Sequence, residues 1–236
     1  MQREEIVQMA RLAEQTERFD DAFEIIKGLL TLNVDPHVSE LNLLKRAANG
    51  AIGPRMNSWK IICSIEQNPD NPSYLDKIKE YQDKIEGELF ELCQEIVRLL
   101  ENNVETNTTL SQTAQASYLA LQGKYGRYLV EISSEPDKQT FSDQALTAYL
   151  KAYEIAQKEF QTIEPGRLEL ARDLSLFYYQ IVKSPEQAIS IARDAFSLAK
   201  RDIERSHPGD LKESVLIMEV LRNNLFEWTN QTMEQE

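Results

Sequence analysis

Leu43-Leu44-Lys45-Arg46-Ala47-Ala48-Asn49-Gly50-Ala51-Ile52-Gly53-Pro54-Arg55-Met56-Asn57-Ser58-Trp59-Lys60-Ile61-Ile62-Cys63-Ser64-Ile65-Glu66-Gln67 is the stretch whose reading decides the fold of this chain. Apolar residues return along it at three- and four-residue steps, the period of one helix face, without the strict alternation of a half-buried strand. It reads as one long helix. Its middle, Gly50-Ala51-Ile52-Gly53-Pro54, breaks the pattern of good helix formers, because Pro54 has no N–H to give the Gly50 carbonyl and an interior proline costs ~3 kcal/mol. We expect a bend or local unwinding there. Arg55 and Lys60 would then be re-aimed and carbonyls near Asn49 turned toward a ligand; a kink absorbed by packing is the alternative.

The same period continues on both sides, and only 8 Gly and 8 Pro interrupt 236 residues. Starts are signed by Ser39, by Ser73 after Asn71-Pro72, by Ser184-Pro185-Glu186-Gln187 as N-cap, N1 proline and capping-box glutamine, and by Asp210 with Glu213. Breaks fall at Asn33 to Pro36, Asn68 to Pro72, Glu105 to Thr109, Glu135-Pro136, Glu164-Pro165-Gly166, Lys183-Ser184-Pro185 and Ser206-His207-Pro208-Gly209. With a further boundary near Arg18 to Asp21 the chain divides into about nine helices. The fold class is all-α, with one domain over residues 1–232 and a short acidic tail over 233–236. Stacked helical pairs of the tetratricopeptide kind are the competing architecture, although no steady ~34-residue period is present.

A net charge of −13 and a pI near 4.8 repel the phosphate backbone, so nucleic acid is not an expected partner. Cys63 and Cys93 lack metal-ligand or CxxC spacing and read as buried thiols of a reducing compartment. The start Met1-Gln2-Arg3-Glu4-Glu5 lacks a signal-peptide layout, and no apolar run nears the ~18 residues of a membrane span. A cytoplasmic protein without membrane insertion is expected. The sequons at Asn107 and Asn230 are then coincidences.

Leu43-Leu44, Trp59, Ser64-Ile65-Glu66-Gln67, Arg127-Tyr128-Leu129 and Trp228 together resemble the 14-3-3 family. Leu12-Ala13-Glu14-Gln15-Thr16-Glu17-Arg18-Phe19-Asp20-Asp21, Glu80-Tyr81, Lys84-Ile85-Glu86, Ala148-Tyr149, Phe177-Tyr178-Tyr179 and Leu221-Arg222-Asn223-Asn224-Leu225 extend the likeness over nearly the whole chain. The resemblance implies antiparallel helices forming a concave groove, and a dimeric, non-enzymatic adaptor that holds phosphorylated or acidic client segments. It further implies a homodimer whose first helix packs on the partner's third and fourth. Arg18 would pair with Glu88 and Asp21 with Lys84 across that interface, while Leu12, Ile65 and Tyr81 give apolar contact and Ser58 lies where the family's interface can be modified. Exposed ion pairs are worth only ~0–1 kcal/mol, so the apolar residues should dominate.

The groove needs inspection group by group. Arg127 and Tyr128 stand where the family holds phosphate, a guanidinium fork beside a phenolic donor. The family's lysine and arginine on the third helix are here Asn49 and Met56. Its backbone-clamping asparagine on the seventh helix is Asp173, while Asn224 on the ninth remains, and a nearby glutamate is Gln180. Charge-assisted hydrogen bonds are worth roughly 1.5–3 kcal/mol each, so two losses would cost two to four decades of affinity unless offset. Arg46, Lys60, Lys124 and Arg172 are the positive charges that could rebuild the anion site around Arg127; alternatively Arg46 lies along the groove wall with its head in water. Leu216, Ile217 and Val220 would form the apolar wall. The competing function is a phosphate-independent peptide scaffold or a dimeric structural protein.

No catalytic centre is expected. His37 and His207 sit in loops beside prolines with no HExxH partner, and GxxxxGK[ST], GxGxxG and GxSxG are all missing from the sequence. No metal or cofactor is expected either.

Overall fold

The computed structural model describes residues 2–67, 72–203 and 211–233. These fold into nine α-helices: α1 Arg3–Gln15, α2 Phe19–Leu30, α3 Val38–Gln67, α4 Leu75–Thr106, α5 Gln112–Ile132, α6 Asp137–Glu159, α7 Pro165–Phe177, α8 Pro185–Ile203 and α9 Lys212–Met233. A short 3₁₀ turn precedes α4, and α7 runs into a π-helical turn over Tyr178–Val182. The helical reading holds throughout the described residues, with small shifts of boundary. Ser39 lies just inside α3, Ser73 lies in the 3₁₀ turn, and α2 begins at Phe19. An N-cap that the sequence reading missed is Ser111, whose hydroxyl accepts the Ala114 N–H at 3.3 Å. The breaks expected at residues 68–71 and 206–209, the Asp210 cap, His207 and the acidic tail at 234–236 lie outside the described residues.

Helices α3, α5, α7 and α9 touch in succession, and α4, α6 and α8 each pack between two of them. The odd helices therefore form one layer backed by the even ones. Phe23, Ile26, Leu43, Ile52, Leu89, Ile96, Leu100, Tyr125 and Leu129 fill the core shared by α2 to α5. Tyr149, Leu174 and Phe177 centre the junction of α5, α6 and α7, and Leu168, Leu221 and Trp228 that of α7 to α9. Ala188, Ala192, Ala195 and Ala199 make the buried face of α8, small enough to admit close neighbours.

The expected unwinding at Pro54 does not occur: α3 is helical without interruption from Val38 to Gln67. Gly50 has a different purpose. The Phe19 ring at the start of α2 lies where a Cβ on residue 50 would stand, 2.2 Å from its Cγ and Cδ1, so only glycine leaves room. The start of α2 thus packs directly on the α3 turn that precedes Pro54. Arg55 strengthens the same turn by donating from Nη1 to the Ala51 carbonyl at 2.6 Å and to Asp20 Oδ1 of α2 at 2.8 Å.

Candidate functional site

Asn49 shows how the groups assigned to anion binding meet. Its Oδ1 accepts two hydrogen bonds from α5, from Lys124 Nζ at 2.9 Å and from the Tyr125 hydroxyl at 3.0 Å. An amide oxygen has two lone pairs and both are used. An ammonium of α5 is thus held against position 49 of α3. Burial pulls the Lys124 pKa below the ordinary lysine value; Lys45 and Arg172 act the same way, and Asp173 opposes them.

One turn further along α5, Arg127 pairs with Glu131 and lies over the Tyr128 ring, 4.8 Å from its centroid. Burial is the main cause that raises the Tyr128 pKa, with Asp173 and Glu131 adding to it against Arg127. The phenol accordingly stays protonated and keeps a donor. On α7, Arg172 donates to Asp173 Oδ1 from Nε at 2.9 Å and makes a second contact from Nη2 at 2.8 Å. Lys45 of α3 pairs with Glu169 of α7. Each guanidinium in the cluster is already matched by a carboxylate, whereas the Lys124 ammonium is hydrogen-bonded only to a neutral amide among the described residues.

Two of the expected cations, Arg46 and Lys60, do not join this cluster, and neither does Met56. Arg46 pairs with Glu14 of α1, its Nη2 3.2 Å from Oε2, because α1 presents a carboxylate to that face of α3. Met56 is 5% exposed and belongs to the core, being one helical turn beyond buried Ile52 on the same face. Lys60 is exposed and makes no ion pair among the described residues. On α9, Ile217 is a core residue, whereas Leu216 at 63% and Val220 at 41% exposure face outward. Asn224 keeps its side-chain Nδ2 buried without a hydrogen-bond partner among the described residues, a donor left unspent.

The groups assigned to a dimer contact divide by chemistry. Leu12, Ile65 and Tyr81 are exposed apolar surface, joined by Met9 and Ile61. Lys84 Nζ lies 6.0 Å from the Tyr81 ring centroid. Within one chain Arg18 pairs with Asp21, and Glu88 with Arg55 at 3.2 Å. Ser58 is exposed and its hydroxyl donates to the Pro54 carbonyl at 3.0 Å. Cys63 is half-buried rather than buried, and both cysteines are thiols.

Lys45, Tyr125, Glu131 and Glu169 were missed by the sequence reading. Glu131 was visible as the i+4 partner of Arg127. The others depend on which helices pack together.

A layer of odd helices backed by even ones, with a tyrosine- and arginine-lined polar cluster where α3, α5 and α7 meet, defines an all-α helical array. The sequence profile of the 14-3-3 protein family matches residues 9–229. The chain is 39% identical over 237 aligned residues to 14-3-3 protein beta/alpha of Mus musculus, covering 100% of this chain and 96% of that one. It is 38% identical to 14-3-3 protein beta/alpha-1 of Oncorhynchus mykiss, covering 100% and 97%, and 39% identical to the Homo sapiens 14-3-3 protein beta/alpha, covering 100% and 96%. The chain belongs to the 14-3-3 family. That family consists of non-enzymatic signalling adaptors that bind phosphorylated client segments and form dimers, and the helical-repeat scaffold considered as an alternative is set aside.

Proposed function

We propose that Lys124, Arg127, Tyr128 and Arg172 form the anion-binding end of a groove that holds phosphoserine or phosphothreonine segments of client proteins. The observation that carries this reading is the 2.9 Å contact between Lys124 and Asn49, which puts a cation beside the third-helix position that has lost one. A phosphate brings three acceptor oxygens and a charge of about −1.5 to −2, enough to share the Arg127 and Arg172 guanidinium groups with their carboxylates while taking Lys124 outright. Asn224 supplies its unspent donor to the peptide backbone. Leu216 and Val220 supply the apolar wall.

The protein acts as a homodimer through the apolar patch of Leu12, Ile65 and Tyr81, with Arg18, Asp21, Lys84 and Glu88 setting orientation and Ser58 at the edge. Two linked grooves hold two phosphorylated sites, or join two clients, with the gain that bivalency gives. The cytoplasm is the compartment this role suits. Fluorescence anisotropy with a phosphoserine peptide library and its unphosphorylated twin tests the reading. Binding confined to the phosphorylated set, and weakened at least tenfold by Arg127→Ala, is expected; equal binding of both sets overturns it.

A further inference from the structure

Helices α4 and α6 both pack on α5. They meet each other at Phe90 and Phe141, whose rings stand edge to face with centroids 5.9 Å apart. Further along both helices a notch of about 300 Å³ opens between them, floored by α5. Leu119, at that floor, lies about half a turn round α5 from Tyr128, so the notch and the anion cluster occupy opposite faces of one helix. None of the groups assigned to the anion site or the dimer contact lines it.

Floor and rim differ in chemistry. Val104, Leu119 and Ala148 give an apolar base, Leu119 and Ala148 buried and Val104 half-buried. Around it stand Glu101 and Glu105 of α4 and Asp143 of α6, all exposed. Neither glutamate makes a hydrogen bond or ion pair among the described residues. Asp143 spends Oδ1 on the Gln139 amide, which donates from Nε2 at 2.9 Å, and its Oδ2 makes no hydrogen bond among the described residues. Lys151, the cation of the lining, pairs with none of the three among those residues. Three carboxylates against one ammonium leave two negative charges in excess beside an apolar floor.

A ligand that matches both parts is a cation on an apolar stem. Arginine suits it better than lysine, because its planar fork offers donors to carboxylates of two helices at once while its methylenes cover apolar surface. Exposure of the rim decides the source: small-molecule sites bury roughly 70–90% of their ligand, whereas here every carboxylate stands in solvent. We propose that this notch is a docking site for an arginine side chain presented by a partner protein, separate from the phosphopeptide groove. The stem lies on Val104, Leu119 and Ala148, and the guanidinium is shared by the α4 glutamates and Asp143. The chain's net charge of −13 favours the approach of basic partner surfaces. Exposed ion pairs are individually weak, so the notch serves as a second anchor for a partner and not as its sole hold.

Titration of the isotope-labelled full chain, followed by amide NMR shifts, tests this. The probes are an acetylated and amidated Gly-Ser peptide with one central arginine, its neutral citrulline twin, and free propylguanidinium. Shifts are expected to be confined to the notch lining, with the citrulline peptide bound at least roughly fivefold more weakly and propylguanidinium no more tightly than the arginine peptide. Glu105→Gln with Asp143→Asn should weaken the arginine peptide by a similar factor. Thr147→Phe, which fills the notch from an exposed position and leaves every carboxylate in place, should abolish its binding. Shifts scattered over the acidic surface, no shifts at all, equal binding of the citrulline twin, or binding that survives Thr147→Phe overturns the proposal. Tighter binding of propylguanidinium than of the peptide assigns the notch to a small molecule and overturns it too. The citrulline comparison is made on wild type, so it does not depend on either variant folding.

Discussion

Lys124 of α5 and Asn49 of α3 are joined by a hydrogen bond of 2.9 Å, with the Tyr125 hydroxyl on the same amide oxygen at 3.0 Å. The ammonium of α5 is therefore held against α3, in a setting whose burial disfavours its charge. That geometry changes what substitutions at position 49 should do.

Restoring a lysine at position 49 does not simply restore a relative's site. Asn49→Lys removes the acceptor of Lys124 and sets a second ammonium against it, so affinity for a phosphoserine peptide is expected to stay level or fall. Asn49→Lys combined with Lys124→Asp should recover tight binding, measured by calorimetric titration. Met56→Arg forces a guanidinium into packed core and should cost at least ~2 kcal/mol of stability by chemical denaturation, without improving affinity.

Lys124 also imposes a pH dependence of definite sign. A lysine whose folded pKa is lowered binds fewer protons folded than unfolded between that value and the ordinary 10.5, so stability rises with pH across the window. Lys124→Met should stabilise the protein at neutral pH, and the gain should shrink as pH rises through the Lys124 pKa. In wild type, phosphopeptide affinity should fall over the same window because the ammonium is lost there. Denaturation and binding curves from pH 7 to 10.5 check both.

The Phe19 ring and Gly50 make a second close approach, and it governs stability rather than binding. Gly50→Ala should cost about 1–3 kcal/mol despite the better helix propensity of alanine. In a Phe19→Ala background the penalty should vanish or reverse. A double-mutant cycle by urea denaturation measures the coupling.

The exposed patch of Leu12, Ile65 and Tyr81 gives the dimer prediction. Tyr81→Glu with Leu12→Glu should convert a species of twice the chain mass into one of a single chain by light scattering, while the helical circular dichroism signal is retained. Charge reversal at Arg18 alone should do much less, because exposed ion pairs contribute only ~0–1 kcal/mol.

How far the chain could be read in advance differs between fold and site. Helix number and most breaks follow from periodicity and from caps such as Ser184-Pro185, since these are local signals. The local unwinding expected at Pro54 does not occur, and the approach of Phe19 to Gly50 comes from another helix, where no local pattern records it. Arg127, Tyr128, Asn224, Lys124, Arg172 and Asp173 were named in advance, yet Arg46 was claimed by Glu14 and Met56 by the core, outcomes set by tertiary neighbours that no local pattern records. The use of Asn49 as an acceptor was hidden for the same reason.

Calorimetric titration of one tightly bound phosphoserine peptide against wild type and Lys124→Met at pH 7, with melting curves to confirm that both are folded, bears most directly on the idea that α5 supplies the missing cation. Loss of one charge-assisted contact corresponds to a weakening of about 10- to 100-fold, and that is the expected result. Unchanged affinity in a folded Lys124→Met protein would contradict it.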